Sequence, residues 1–474
     1  MKVLYAASEV YPFAMSGGLA DVAGALPKAL RRRLIGCRVV MPLYSAIKEE
    51  FKENMKFITS ITVPVSWRRQ YCGIFEAKRD GVIFYFIDNQ YYFKRDGLYG
   101  HYDDAERFAF FSRAILEILP HIDFKPDIIH CNDWQTAMVP IYLDAFYRDN
   151  DFYRNIKTLY TVHNIQYQGK YGYEILGDVL GIPSDKEKIL DFDGCVNFMK
   201  GAFEASDKIS TVSPTYSHEI MNAYYAHGLD GILRHLSHKL TGIVNGIDYD
   251  VYNPTADPLI FAQFSAEDMS GKDTNKLLLQ KEMGLPQNAN TAVIGIVSRL
   301  VDHKGFDLVQ HVFEDILNQD VQVVILGSGE WKYEQFFEEM AAKYPEKVAL
   351  RTGFIPVLAH KIYAGADIFL MPSKSEPCGL AQMVALRYGT IPVVRETGGL
   401  NDTIKDSGDG VGNGFTFKLY NAHDMLFAIG RALDLYYGDK EGWEILKKRA
   451  IECDNSWARS AGEYIKLYKS LINN

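Results

Sequence analysis

The chain has 474 residues, too many for one ordinary hydrophobic core, so two domains of roughly 200 residues or more each are expected. Hydrophobic residues make up 47% and charged residues 23%, a balance that leaves no room for a large disordered fraction. The formal net charge of −9 argues against a nucleic-acid partner, because neutralising a phosphate backbone needs clustered Lys and Arg.

In chain order, MKVLYAASEVYPF opens on a short apolar run that Glu9 interrupts, so it reads as a first strand and not as a signal peptide. Met15 and Ser16 then lead to Gly17 and Gly18, just before the helical pattern LADVAGALPKAL. A Gly-Gly turn between a strand and a helix lets backbone amides and the positive helix end approach a phosphate, although it is also an ordinary tight turn. Arg31, Arg32 and Arg33 suit the C-terminal end of that helix. CRVVMP, DIIHCN and TLYTVHN follow as further short apolar runs separated by helical stretches, the rhythm of a parallel sheet covered by helices. Asp133 and Trp134 stand just after the second of these runs, and His163 with Asn164 closes the third, where polar groups at strand ends can bind hydroxyls or be satisfied structurally.

The segment VNGIDYDVYNPTADP is rich in turn formers and reads as a connector, which places the domain boundary at Asn245 and Gly246. Its Asp248 and Asp250 form a D-x-D, read as turn-capping carboxylates and not as a metal site. The βα rhythm restarts with AVIGIVSRL, where Arg299 and Lys304 follow the strand and can grip the two charges of a pyrophosphate. VQVVILGSG, VALRTGF and DIFLMPS follow, and SEPCGL puts Glu376 in a Pro-containing turn with Cys378, Gly379 and Leu380 at the next helix start. IPVVRETGGLNDT then repeats the first turn's pattern with Thr397, Gly398 and Gly399. From Ser456 the apolar residues Trp457, Ala461, Tyr464, Tyr468 and Leu471 recur at helical spacing, so a packed amphipathic helix is expected. The expected organisation is a domain over 1–245, a second over 246–455, and a helix over 456–474 packing back on the first. In open α/β sheets, ligands bind at the carboxyl ends of the strands, so a cleft between the domains is the expected site.

Six cysteines scattered singly match neither a zinc site nor a disulfide scaffold, and a cytoplasmic location is expected. No run is long and apolar enough to span a bilayer, so no membrane partner is expected. HExxH, the P-loop lysine motif and GxSxG do not occur, which removes support for metalloprotease, kinase and serine-hydrolase readings.

The strings SGGLADVAGALPKAL, YYFKRDGLYG, HCNDWQTA, VHNIQYQGKYG, VNGID, VSRLVDHKG, SKSEPCGL and ETGGLNDT, in this order, resemble bacterial glycogen synthases and plant starch synthases. These are retaining glycosyltransferases with two Rossmann-like doubly wound α/β domains facing a central cleft, the GT-B type. The resemblance implies ADP-glucose as donor, an α-1,4-glucan such as glycogen or a maltooligosaccharide as acceptor, and no metal or other cofactor. By motif, it assigns Arg299 and Lys304 to the donor diphosphate, with Gly17, Gly18, Gly379 and Leu380 adding amides. Glu376, His163, Asn164 and Asp133 would surround the transferred glucose, and Asn245 with Gly246 would line the hinge side. Met15, Ser16, Cys378, Thr397, Gly398 and Gly399 complete the expected donor-binding set. The family motif has Lys where Met15 stands and an aromatic residue where Ser375 stands. The first departure removes a cation from the donor loop, unless Lys94 or Arg95 reaches in. A small-molecule acceptor, or a binding protein without catalysis, remains an alternative from the residues alone.

Overall fold

Strands buried on both faces lose the polar alternation of a half-exposed strand, and the apolar runs read from the sequence become such strands. In the computed structural model, which describes residues 1–473, the chain separates into two units. One is Met1–Asn245 with the C-terminal helix Trp457–Ile472, and the other runs from Gly246 to Ser456.

The first unit contributes β1 (Lys2–Ala6), β2 (Gly36–Pro42), β3 (Lys56–Val65), β4 (Arg68–Arg79), β5 (Val82–Asp88), β6 (Ile128–Asn132) and β7 (Lys157–Val162). It continues with β8 (Lys170–Tyr171), β9 (Asp191–Phe192), β10 (Cys195–Asn197), β11 (Lys208–Thr211) and β12 (Leu240–Gly242). The main sheet runs in the order β12-β11-β7-β6-β1-β2-β5-β4-β3, while β8, β10 and β9 form a small separate sheet. From β1 the parallel strands spread one way through β2 and β5, and the other way through β6, β7, β11 and β12. The order therefore reverses between β1 and β6, which is the topological switch point of a doubly wound sheet.

The antiparallel hairpin β3–β4 extends the edge beside β5, an element absent from the βα reading of the sequence. Its link to β5 is a two-residue Asp80–Gly81 turn with both residues at positive φ, the turn geometry whose twist suits a hairpin. After Asp133 the expected helix is broken into a 3-10 turn (Trp134–Thr136), a short α segment (Met138–Tyr142) and a π turn (Leu143–Tyr147). Pro140 has no N–H to donate one turn back, which removes a bond from any regular α start there. The C-terminal helix packs on its own unit. Tyr468 is buried with its hydroxyl 2.8 Å from His130 Nδ1, and the Ser460 hydroxyl donates to Val244 O at 2.6 Å.

The second unit contributes β13 (Ala292–Val297), β14 (Val321–Gly327), β15 (Val348–Thr352), β16 (Ile368–Met371), β17 (Ile391–Arg395) and β18 (Phe415–Phe417). The sheet is parallel throughout, in the order β15-β14-β13-β16-β17-β18. Numbered from β13, this is the 3-2-1-4-5-6 order of a Rossmann sheet, with its switch point between β13 and β16. Helices Ser270–Met283 and Pro356–Gly365 bury Leu279, Met283, Leu358 and Ile362 against Val293 and Val324. Among the described residues, no helix is long and apolar enough to cross a membrane.

Candidate active site

In the second unit, the chain leaves β13 over Ser298 and Arg299, makes a 3-10 turn at Asp302–Lys304, and enters helix Phe306–Leu317 through Gly305. Gly305 sits at φ 80°, and a Cβ there would lie 2.1 Å from Pro372 O, so only glycine lets this loop press on the loop after β16. His303 O also accepts the Lys374 N–H at 2.9 Å, tying the two loops together. Both flank the switch point. The Lys304 ammonium donates to Glu376 Oε2 at 2.6 Å, and the Ser373 hydroxyl donates to the same oxygen at 3.0 Å. Glu376 is only 6% exposed, so the Lys304 ammonium and the Ser373 hydroxyl supply the partners that water cannot. Arg299 is exposed just after β13, near enough for its charge to act on His303. Burial, and then the Lys304 charge, pull His303 down to about 4, so its ring adds no further positive charge at neutral pH.

Cys378 is buried, while Gly379, at φ 70°, and Leu380 bring the chain into helix Ala381–Arg387. The second Gly-Gly pair lies directly beneath this loop. A Cβ on Gly398 would meet Glu376 O at 1.9 Å, and one on Gly399 would meet Cys378 O at 2.1 Å. The Gly399 N–H donates to Glu376 O and Pro377 O at 3.1 and 3.2 Å. That amide is thus engaged within the protein, by the carbonyls of the Glu376 loop. With the buried Thr397, the pair supports the Glu376 loop by close packing.

In the first unit, Glu9 follows β1 and is 4% exposed, with Oε2 accepting the N–H groups of Ser16 and Gly17, the latter at 3.3 Å. Burial lifts Glu9 to about 7, against the lowering effect of these amides, and the nearby Asp21 lifts it further. Met15 is 41% exposed, and Gly18 begins helix Gly18–Arg32 with open space where a Cβ would stand. The Ser8 and Tyr99 hydroxyls lie 2.7 Å apart beside this loop. Asp133, after β6, adopts φ 55°, a backbone strain rarely accepted by a non-glycine residue. Its Oδ1 accepts the His163 N–H at 2.7 Å. Burial raises Asp133 to about 7, opposed by the His163 and Asn164 amides and reinforced by the charge of Glu9. Burial also drives His163 down to about 3, leaving its imidazole neutral.

Asp133, His163 and Asn164 therefore stand together at the strand ends of one unit, with Glu9 of the SGGL loop near enough to act on Asp133, while Lys304 and Glu376 meet at the strand ends of the other, where Arg299 follows β13. Asn245 is buried with its Oδ1 unpartnered by protein, and Gly246 begins the second unit. Asp248 Oδ1 accepts the Asp250 N–H at 2.9 Å, the turn-capping use expected of the D-x-D. Arg95 is held by Asp103 at 2.7 Å and by Tyr91 O at 2.9 Å, which takes it from the list of cations able to replace the missing lysine; Lys94 is exposed. Among the described residues, no three His, Cys, Asp or Glu side chains converge as metal ligands.

The N-terminal half matches the family model of the starch synthase catalytic domain over residues 2–235, and residues 281–450 match glycosyl transferases group 1. A glycogen synthase of Geobacillus thermodenitrificans is 55% identical over 100% of this chain and 98% of its own. One from Bacillus cereus (strain Q1) is 52% identical over the whole of both chains. The chain belongs to the glycogen and starch synthase family. It is a glycosyltransferase of that family, with the two-Rossmann GT-B fold. The solved catalytic domain of starch synthase IV from Arabidopsis thaliana, described as bound to ADP and acarbose, superposes with a TM-score of 0.93 at 36% identity, covering 100% of this chain and 99% of that one. A sucrose-phosphate synthase from Thermosynechococcus elongatus, at 15% identity and a TM-score of 0.61, shares the fold.

Three residues at the strand ends of this family member escaped the sequence reading. Glu9 registered only as a break in an apolar run, yet a lone carboxylate between a buried strand and a Gly-Gly loop was the available sign of a buried acceptor. His303 adjoins Lys304 and gives no periodic or motif signal of its own. Asn132 sits in HCNDWQTA as an ordinary strand residue, and only the structure shows what its side chain holds.

Proposed function

We propose that the chain transfers glucose from ADP-glucose to the nonreducing end of an α-1,4-glucan, lengthening glycogen or a maltooligosaccharide with retention at the anomeric carbon. The observation that carries this reading is the Lys304 ammonium 2.6 Å from the buried Glu376 carboxylate at a Rossmann switch point, with Arg299 exposed just after the same strand, β13. Nucleotide diphosphates suit that position, and the family's starch synthase IV structure is described as holding ADP.

On this reading, Arg299 and Lys304 hold the diphosphate and stabilise the negative charge that grows on it as the glycosidic bond breaks. Preorganised charge of this kind contributes on the order of 3–4 kcal/mol per donor group. Gly17, Gly18, Gly379 and Leu380 offer amides, while Asp133, His163, Asn164 and Glu376 orient the sugar hydroxyls. Glu376 also places negative charge near the electron-poor anomeric carbon. The acceptor hydroxyl attacks on the face from which the leaving group departs, and the freed phosphate oxygen takes its proton. No side-chain base and no divalent ion is invoked. Among the described residues none of the six cysteines is joined in a disulfide, which suits the reducing cytoplasm as the place of action.

The test is incorporation of labelled glucose into glycogen from ADP-glucose and, separately, from UDP-glucose. Transfer from ADP-glucose with glycogen as acceptor supports the reading. Incorporation from neither donor would sink it, and a clear preference for UDP-glucose would overturn the choice of donor.

A further inference from the structure

His163 bonds through Nε2 to Asn132 Oδ1 at 2.9 Å. The Asn132 amide has a determined orientation, because its Nδ2 donates to both Ala6 O, at 3.0 Å, and His130 O, at 3.2 Å. Turning it over would set the side-chain oxygen against two main-chain carbonyls, an acceptor facing acceptors with no proton between them. Asn132 Oδ1 therefore only accepts, and it accepts twice, from His163 Nε2–H and from the Tyr5 hydroxyl at 3.0 Å. Asn132 and Tyr5 are fully buried on β6 and β1, the two strands that flank the switch point, so the lock is built into the sheet itself.

The geometry points to Asn132 as a positioning residue that locks His163 in its neutral Nε2–H form, leaving Nδ1 to accept a hydroxyl of the transferred sugar. The sugar rests on the function proposed above; the lock does not. Its chemical purpose follows from the charge that develops in the transfer. As the leaving group departs, the anomeric carbon becomes electron-poor, and an imidazolium close by would oppose that change, whereas a neutral acceptor does not. The groups around the ring agree with a neutral state. Tyr5 and the buried, neutral His130 lie behind it, and Asp133 directs an oxygen at the His163 main-chain N–H and not at the ring.

The experiment uses the full chain labelled with 15N-histidine, and long-range proton–nitrogen correlation with His163 assigned by the signal lost in His163→Gln. At pH 7 the wild-type ring is expected to carry its one proton on Nε2. Asn132→Asp keeps an acceptor but adds a negative charge, so it should raise the His163 pKa by roughly one to three units. From about 3, that leaves the ring neutral at pH 7, so kcat near neutral pH should be nearly kept but should fall more steeply than in the wild type as pH drops through 6 to 4, with donor KM little changed. A wild-type ring protonated on Nδ1, or on both nitrogens, overturns the lock, and this spectrum decides the matter even if the variant does not fold. A wild-type kcat and pH profile in a folded Asn132→Asp overturns the positioning role. If the wild type shows the Nε2–H form yet transfers no glucose, the lock stands and the glucosyl reading falls.

Discussion

The two units present opposite electrostatic characters at corresponding places in their sheets. At the β13/β16 switch point, Lys304 and Arg299 bring positive charge, and the one buried carboxylate there, Glu376, is paired at 2.6 Å. At the β1/β6 switch point stand Glu9, Asp21 and Asp133, all lifted above the usual carboxylate range by burial, beside a histidine that burial keeps neutral. A shared topology therefore fixes where a site forms without fixing its charge. On the proposed reading the second unit manages the diphosphate, and the first offers acceptors to a neutral sugar. Lys304→Ala breaks this contrast most severely. Transfer should fall by about a thousandfold, in line with the loss of one preorganised charge on the leaving group. The substitution also leaves the buried Glu376 with only the Ser373 hydroxyl, so Lys304→Ala with Glu376→Gln serves as the comparison that removes the uncompensated charge. Near-normal turnover in a folded Lys304→Ala would contradict the diphosphate role.

A smaller effect is expected from Glu9→Gln, measured as stability. Glu9 rises from 4.5 to about 7 on folding, so between those values the folded chain holds a proton that the unfolded chain has released. Stability from this group is thus fully present below about 4.5 and is lost as pH rises toward 7, at a cost on the order of 3 kcal/mol in the ionised form. Gln is neutral throughout and keeps an oxygen for the Ser16 and Gly17 amides. Its melting temperature should exceed the wild type at pH 8, with the gap closing toward pH 4.5. A gap that widens on acidification would show that Glu9 is a stabilising ion in the native state.

Much of this arrangement was legible in the sequence because it rests on local pattern. Buried parallel strands read as apolar runs, and Arg299, Lys304, Glu376, Asp133 and His163 all stand within a few residues of a strand end. The β3–β4 hairpin was less legible, although Asp80–Gly81 is a hairpin turn signal, because the strands carry polar residues at an exposed edge. What stayed hidden depends on contacts distant in the chain. Nothing near Gly399 reveals that its amide meets Glu376 O, and nothing near Asn132 reveals Tyr5 on one side and His163 on the other. Glu9 was visible as a residue, but its raised pKa comes from burial that no local string records.

The contrast between the units is sharpened most finely at Met15. A thioether there leaves the SGGL loop with Glu9 as its nearest charge, and the Glu9 carboxylate already binds the Ser16 and Gly17 amides that a phosphate would seek. On the proposed reading, donor binding at this loop has to displace a carboxylate or find it protonated. Met15→Lys would supply a cation to both anions. Because Met15 is 41% exposed, solvent screens much of that gain, and an improvement of about 1 kcal/mol, several-fold in affinity for ADP, is the expected scale. Calorimetric titration with ADP at pH 7 measures it directly, and the gain should shrink with added salt as an exposed charge interaction does. Unchanged affinity would mean that another cation already serves the loop, and with Arg95 held by Asp103, Lys94 becomes the next residue to replace.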